Sequence, residues 1–396
     1  MRQEAFRGPM PEISIEVVPV SELVSLSRDV EADPMRYAVA PIEPKRALAH
    51  SLNPVASPGD PGLVIAYAEG RCIGYIGLLP IIASVGGREH KILAPSTQYV
   101  HPDFRRKPPP GGMTIAERMY DMIRQLGFDQ LNTGFNEAGA RIHQRRPEWF
   151  TPLPPYTYLR IKLSPFQPVS SILRRVALKT GMSFLEGIYH ASQSHIDQPL
   201  EPMVRKILKV QDCRFNNALS IVPVEKVLEP KDELPALNGL HFKRDVNVIN
   251  WMIKHPWLEV AKRSHRRYFF SSPRERHEYH CYHILDRGGM RTGFIVTLIS
   301  SVKLFTTLRI LDHRMTSPDM KAFLLNFVIE KALNHRVNAI ECAGAFRPVI
   351  ENNRLLRTIT TAHKRAYFIS LSPASPLKGR EPEIVLDYCD GDRPYV

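Results

Sequence analysis

The stretch YVHPDFRRKPPPGGMTIAERMYDMIRQL, Tyr99 to Leu126, joins a strand to a helix through an unusual loop. An apolar strand ends at Val100, a basic loop rich in Pro and Gly follows, and a helix opens at about Thr114. Ile115, Met119, Met122, Ile123 and Leu126 recur at the spacing of one helical face. The first amides of such a helix lack intrahelical acceptors and sit at the positive end of its dipole, so the junction can hold a diphosphate. Gly111 and Gly112 let the backbone come close to a phosphate, and Arg105, Arg106 and Lys107 add charge. The same residues also suit an exposed Pro-rich loop between strand and helix.

Working outward, Ile13 to Val20 predicts a first strand, and Ser21 to Arg28 a helix with Ser21 as N-cap. A helical region broken by Pro34, Pro41 and Pro44 follows. Leu63 to Ala68, the turn Glu69-Gly70-Arg71 and Cys72 to Ser84 form a hairpin. A second turn at Gly86-Gly87-Arg88 leads into Lys91 to Val100, which delivers the chain to the loop. After the helix, Phe128 to Thr133 predicts a strand parallel to the one before it, by the usual crossover. Glu137 to Gln144 predicts a short helix and Tyr156 to Leu163 a strand.

The second half repeats this outline. ALSIVPVEKVL at Ala218 to Leu228 is close to the earlier ISIEVVPVSEL. Strands follow at Glu278 to Leu285, Thr292 to Ser300 and Phe305 to Asp312, with the turn Asp286-Arg287-Gly288-Gly289 between the first two. Ser317-Pro318-Asp319 starts a helix carrying Met320, Leu324, Phe327 and Val328 on one face. Val337 to Cys342, helical Pro348 to Leu355 and a closing strand Ala366 to Leu371 complete it. Residues 166–216 read as a helical connector. Within it Val169, Ile172, Leu173 and Val176 beside Arg174, Arg175 and Lys179 make a basic amphipathic helix, suited to packing on its own protein or to peripheral contact with a membrane.

The pattern Val100, Pro102, Phe104, Arg105, then Gly and a helix, resembles the acyl-CoA-binding segment of the GNAT N-acyltransferase superfamily. In that family the loop is usually Arg or Gln, two residues, Gly, one residue, then Gly or Ala. Here Lys107, Pro108, Pro109 and Pro110 stand between Arg106 and Gly111, a departure from the pattern. The resemblance covers about residues 13 to 163 and is strongest from Leu63 to Asn136. It implies an α/β (α+β) chain of two tandem GNAT-like domains, each a mixed, mostly antiparallel sheet flanked by helices. The expected boundaries are 1–165 with the acyl-CoA site, 166–216, and 217–396 as a degenerate copy. It further implies that Val100, Arg105, Arg106, Gly111, Gly112, Met113 and Thr114 cradle the pyrophosphate of acetyl-CoA or another acyl-CoA. The strand from Ala94 to Val100 would offer backbone groups to the pantetheine arm and the acyl carbonyl. Asn136 matches the Asn commonly found near that arm, and also suits a helix N-cap. The second half has no Gly pair at its equivalent junction, and the acids of Asp312 to Asp319 would repel a diphosphate.

Acyl transfer to an amine also needs a proton acceptor, and none stands out. Tyr99, Glu137 and His143 are the candidates; His143 lies near Arg141, Arg145 and Arg146, which also suits a surface histidine. His277, His280 and His283 resemble metal ligands, but on a strand the outer two lie about 20 Å apart and His280 faces the other way. No metal is therefore expected. Lys262 to Phe270 mixes bases with aromatics, as a phosphate site or a solvated helix would.

Length and composition agree with this reading. The 396 residues suit two domains, and 43% hydrophobic against 23% charged residues suits a globular core. No run reaches the roughly 18 apolar residues of a membrane span, and the N-terminus lacks the apolar core of a signal peptide. Five scattered cysteines without C-x-x-C read as reduced thiols, so a cytoplasmic protein is expected. A net charge of +13 suits an anionic partner. The leading expectation is an N-acyltransferase for an amine acceptor, such as an amino sugar entering a polysaccharide, by likeness to tandem GNAT proteins of polysaccharide clusters. Two rivals remain: a FemAB-like transferase using aminoacyl-tRNA, and a non-catalytic scaffold on a degenerate fold. Asp387 to Asp392 resembles the acidic motif that ends such families, and equally a disordered tail.

Overall fold

A computed structural model describes residues 12–85, 88–105, 112–133, 137–163, 176, 179–180, 188, 208, 218–230, 240–256, 268, 275–302, 305–386 and 390. The first half opens with β1 (Ile13–Pro19), α1 (Leu23–Ala32) and α2 (Pro44–Ser51). The meander β2 (Pro61–Ala68), β3 (Arg71–Val85) and β4 (Arg88–Val100) follows, then α3 (Ile115–Gln125), β5 (Gln130–Asn132), α4 (Glu137–Arg145) and β6 (Thr151–Lys162). The second half runs β7 (Leu219–Val224), β8 (Leu240–Lys243), α5 (Val246–Lys254), β9 (Arg276–Asp286), β10 (Arg291–Val302) and β11 (Phe305–Met315). It closes with α6 (Lys321–Asn334), β12 (Ala339–Ala343), α7 (Arg347–Glu351), α8 (Arg354–Ile359), β13 (Thr360–Ser370) and β14 (Ile384–Val385).

One sheet carries all of these strands. Its order is β1-β2-β3-β4-β5-β13-β6-β12-β11-β10-β9-β7, with β8 and β14 attached beside β3. The two halves are thus arranged about the centre as a pseudo-twofold pair, and they exchange strands there. β13, the last long strand of the second half, lies between β5 and β6; β6, the last strand of the first, lies between β12 and β13. The expected boundary at 165 falls just after β6, and the sheet runs across it without a break.

Sequence logic explains most elements. α3 presents Ile115, Met119 and Ile123 to a core shared with Val64, Ile76, Leu93 and Val100. α1 and α2 cover the opposite face, where Leu23, Val30 and Ala47 meet Leu63, Ile65 and Tyr75. α6 buries Leu324, Leu325 and Val328 in a third core with Leu308, Ile340 and Phe346. Several boundaries differ from expectation: β6 starts at Thr151 and not Tyr156, β13 at Thr360 and not Ala366, and α6 at Lys321 after a 3-10 turn over Pro318–Met320. Ser21 caps no α-helix: Val20–Glu22 is a 3-10 turn and α1 begins at Leu23, because the Val20 and Ser21 amides donate to the Asp60 and Pro58 carbonyls (2.8 and 3.0 Å). β11 runs on to Met315, so Asp312 lies inside a strand and not at the junction.

Candidate functional site

The crossover from β4 to β5 builds the site. The two strands pair in parallel at Leu93 and Gln130, and among the described residues at no position beyond. Further along, β5 follows β13 while β4 follows β3, so a wedge opens between Ala94–Val100 and Leu131–Thr133. Among the described residues, the facing edge of β4 beyond Leu93 therefore has no strand to take its amides and carbonyls.

A β-bulge interrupts β4 at this point. Ser96 pairs with Gly77 and Tyr99 with Tyr75, so Thr97 and Gln98 together oppose Ile76. Thr97 has φ of 50°, a left-handed conformation that is a genuine outlier for a β-branched residue. The extra residue also resets which side chains face which way. Leu93 and Val100 both join the α3 core, whereas Ser96 and Tyr99 both face α2.

β5, one wall of the wedge, carries two polar side chains on the face opposite Leu131. Gln130 and Asn132 are buried at 0% and 2% exposure, and neither amide group has a hydrogen-bond partner among the described residues. Unpaired buried amides are rare and costly, so a polar ligand beside β5 would find two groups to satisfy here. Nearby Tyr120 of α3 donates to Gln98 Oε1 (3.3 Å), and its ring meets His143 and Phe150 edge-on.

The expected loop residues fall as follows. Arg106, Gly111 and Asn136 lie outside the described residues, as do Pro108, Pro109 and Pro110. Arg105 folds back on the strand: its Nε donates to the Val100 carbonyl (2.6 Å) and its guanidinium lies over the Tyr99 ring, 5.4 Å from the centroid. Gly112 is partly exposed and Met113 exposed, just ahead of the helix. Thr114 is the α3 N-cap in a capping box with Glu117. Glu117 Oε2 accepts from the Thr114 amide (2.7 Å) and hydroxyl (2.8 Å), and Thr114 Oγ1 accepts from the Glu117 amide (3.2 Å). A buried carboxylate thus stands in the first turn, where the diphosphate was expected. Arg145 and Arg146 lie 3.6 and 3.5 Å from its Oε1. Burial pushes the Glu117 pKa up, but the Thr114 hydrogen bonds and the two arginines outweigh it and hold the carboxyl below its usual range. The sequence T-I-A-E signals this box, and the capping-box pattern would have found it.

The proton-acceptor candidates separate clearly. His143 is no surface residue: it is buried at 1% exposure and stacked on Phe368 (5.0 Å, 15°). Its Nδ1 lies 2.8 Å from the Gly139 carbonyl, so that nitrogen carries the proton. Burial pushes its pKa down to about 4, which makes it a weak base for an ammonium. Tyr99 stacks on Tyr75 (5.7 Å), on the side of β4 away from α3, and burial raises its pKa. Glu137 is the first residue of α4.

The second half keeps the geometry and fills it. β11 carries a bulge at Leu311, between the pairs Thr297–Ile310 and Val296–Asp312. There buried Asp312 accepts from Arg244 Nε (2.9 Å), and Arg244 also binds Asp390 (2.5 Å). The β9 histidines stay apart as expected: His280 stacks on His335 (5.7 Å), and His283 Nε2 accepts from the Leu228 amide (3.1 Å). Among the described residues no group of His, Cys, Asp and Glu is arranged to hold a metal, and no helix is long and apolar enough to cross a membrane. The basic helix around Val169 to Lys179 and the segment Lys262 to Phe270 lie largely outside the described residues.

The first half runs a strand, two helices, an antiparallel meander, a crossover helix, a diverging parallel strand, a helix and a final strand; among the described residues the second half repeats the meander, crossover helix, parallel strand and final strand, with β8 and α5 ahead of its meander and two short helices after β12. No protein-family model matches the chain, and no curated protein sequence matches it. Among solved structures it is similar to a GCN5-related N-acetyltransferase from Anabaena variabilis, at 11% identity over 90% of this chain and 72% of that one (TM-score 0.48). It is also similar to a tandem GNAT protein from the clavulanic acid biosynthesis pathway, at 14% identity over 92% and 100% of the two chains (TM-score 0.48). A third is Saccharomyces cerevisiae N-myristoyltransferase with bound myristoyl-CoA, at 8% identity over 97% and 92% (TM-score 0.48).

Proposed function

We propose that the chain is an N-acyltransferase that moves an acyl group from acyl-CoA to an amine, with its site in the first half. The observation that carries this is the wedge: a strained bulge at Thr97 on one wall, and the unpaired buried amides of Gln130 and Asn132 on the other. A pantetheine arm is a chain of amides, and it suits two orphaned amide side chains beside an open strand edge. The amine nitrogen attacks the thioester carbon, the C–S bond breaks, and CoA leaves as a thiolate that takes up a proton lost from the ammonium. Backbone amides at the bulge are placed to stabilise the negative charge that grows on the carbonyl oxygen. With His143 held neutral and weakly basic, water or a carboxylate outside the wedge core carries the proton away.

An amino sugar is the acceptor class implied by the likeness to polysaccharide-cluster proteins. In the second half, the Asp312–Arg244–Asp390 network occupies the corresponding bulge, which supports a single acyl-CoA site. The test is a thermal-shift titration with acetyl-CoA, longer acyl-CoAs and free CoA on the native chain and on Gly112→Asp. A ligand that binds only the folded state raises its stability, by about 2.7 kcal/mol at one hundred times Kd. A rise lost in Gly112→Asp places the diphosphate at the α3 loop. No rise with any thioester removes this reading in favour of the tRNA-dependent and scaffold alternatives.

A further inference from the structure

A threonine keeps a left-handed backbone only where its surroundings over-determine it. At Thr97 those surroundings are on the α2 side of β4, and they are unusually polar for a core. Arg46 of α2 is buried at 3% exposure. Its Nη2 donates to Ser96 Oγ (2.5 Å), its Nη1 to the Tyr268 hydroxyl (2.8 Å), and its Nε to His50 Nε2 (3.2 Å). Burial, then the Arg46 charge, hold the His50 pKa well below its usual value, so His50 stays a neutral acceptor. The Tyr268 hydroxyl, taking a hydrogen bond from Arg46, lies beside the Thr97 side chain. One guanidinium therefore holds Ser96, the last paired residue before the bulge, directly, and reaches Thr97 inside it through Tyr268.

The packing leaves no slack. A Cβ at Gly77, across the ladder, would lie 2.9 Å from Thr97 Oγ1 and 3.1 Å from Arg46 Nη2. Tyr75 stacks on Tyr268 on one side (6.3 Å, 14°) and on Tyr99 on the other (5.7 Å, 28°). Tyr268 comes from the second half of the chain, which grips α2 a second time where Trp251 Nε1 of α5 donates to the Ala49 carbonyl (2.9 Å).

We propose that Arg46 is a positioning residue of the acyl-transfer site, which together with Tyr268 fixes the β4 bulge at Ser96 and Thr97, its entry and first residue, and makes it dependent on the second half. The inference rests on the acyltransferase reading above and adds a role for the second half: it completes the machinery of the first without touching the thioester. No single half holds a finished site.

The test uses the full chain, acetyl-CoA carrying a 13C carbonyl, and the variants Arg46→Met, Arg46→Lys and Tyr268→Phe. Three quantities are read: the dissociation constant of acetyl-CoA, the infrared frequency of the bound thioester carbonyl, and the rate of CoA release from acetyl-CoA with water as acceptor. In the native chain, hydrogen bonds from the bulge lower the carbonyl frequency relative to water. Arg46→Met is expected to bind acetyl-CoA within about threefold of native, to return the carbonyl band toward its position in water, and to slow CoA release by about a hundredfold. Arg46→Lys restores part of the shift, and Tyr268→Phe gives a smaller loss of the same kind. A residue that is only structural would instead lower the melting temperature and weaken binding, with the band of the bound fraction unmoved. An unmoved band with native turnover in Arg46→Met overturns the proposal; if that variant does not fold, the same result in Tyr268→Phe overturns it. Failure of the native chain to bind acetyl-CoA overturns the acyltransferase reading itself, and this inference with it.

Discussion

A histidine buried among aromatic rings links stability to pH, and His143 is such a residue. Its pKa is about 4 in the folded chain and about 6.5 when unfolded. Below about pH 6.5 the unfolded state binds the extra proton and the folded state does not, so stability falls as pH falls. The window is 6.5 down to about 4, and the full loss assigned to this one group is about 3 kcal/mol. His50 acts with the same sign, since its pKa is also lowered. The separate share of His143 is therefore read by difference. Denaturant unfolding of native protein and of His143→Gln across that range should show a slope shallower by up to one proton in the variant. Equal slopes would mean that the imidazole titrates normally and is open to water.

At the scale of an element, α3 sets a capping box against a diphosphate site. Glu117 satisfies the Thr114 amide and hydroxyl, and it draws Arg145 and Arg146 toward the same turn. Glu117→Gln keeps an acceptor for the cap while removing one negative charge from the loop. Acyl-CoA should then bind severalfold more tightly, by calorimetry, at a cost in stability of about 1 kcal/mol or less. Weaker binding would show that the carboxylate, not the helix end, organises the site. The elements themselves were largely legible: the apolar spacing of α3 and the Glu69-Gly70 turn encode themselves locally, whereas Ser317-Pro318-Asp319 leads into a 3-10 turn and α6 begins only at Lys321, without a side-chain cap. The wedge was legible only in outline. Ser96, Thr97, Gln130 and Asn132 carry no local signal, because a bulge and a strand divergence arise from how β4, β5 and β13 share partners. Arg46 and Tyr268 are 222 residues apart, and no spacing rule joins them. His143 next to three arginines reads as surface in one dimension; only the aromatic packing of α4 shows that it points inward.

At the scale of the molecule, exchange of the central strands makes the halves mutually dependent. Ile161 of β6 belongs by sequence to the first half, yet it is packed in the second half's core with Leu324, Val328 and Leu356. Ile369 of β13 belongs to the second half, yet it packs with Leu131 and Ile92 of the first. Both are fully buried, so truncation to Ala should cost about 2 to 5 kcal/mol at either site. If each half were a separate cooperative unit, the chain would melt in two steps and each variant would move one of them. Because β6 and β13 each lie among the other half's strands, a half that unfolds strips its neighbour of the β5–β13, β13–β6 and β6–β12 ladders and of part of its core. We therefore expect a single calorimetric transition, with van't Hoff and calorimetric enthalpies in agreement. Ile161→Ala and Ile369→Ala should each lower that one midpoint by several degrees. Acetyl-CoA, bound only in the first half, should then protect both halves equally in amide exchange. Protection confined to residues 12–163, or a second transition in either variant, would mean that the shared sheet does not couple the halves.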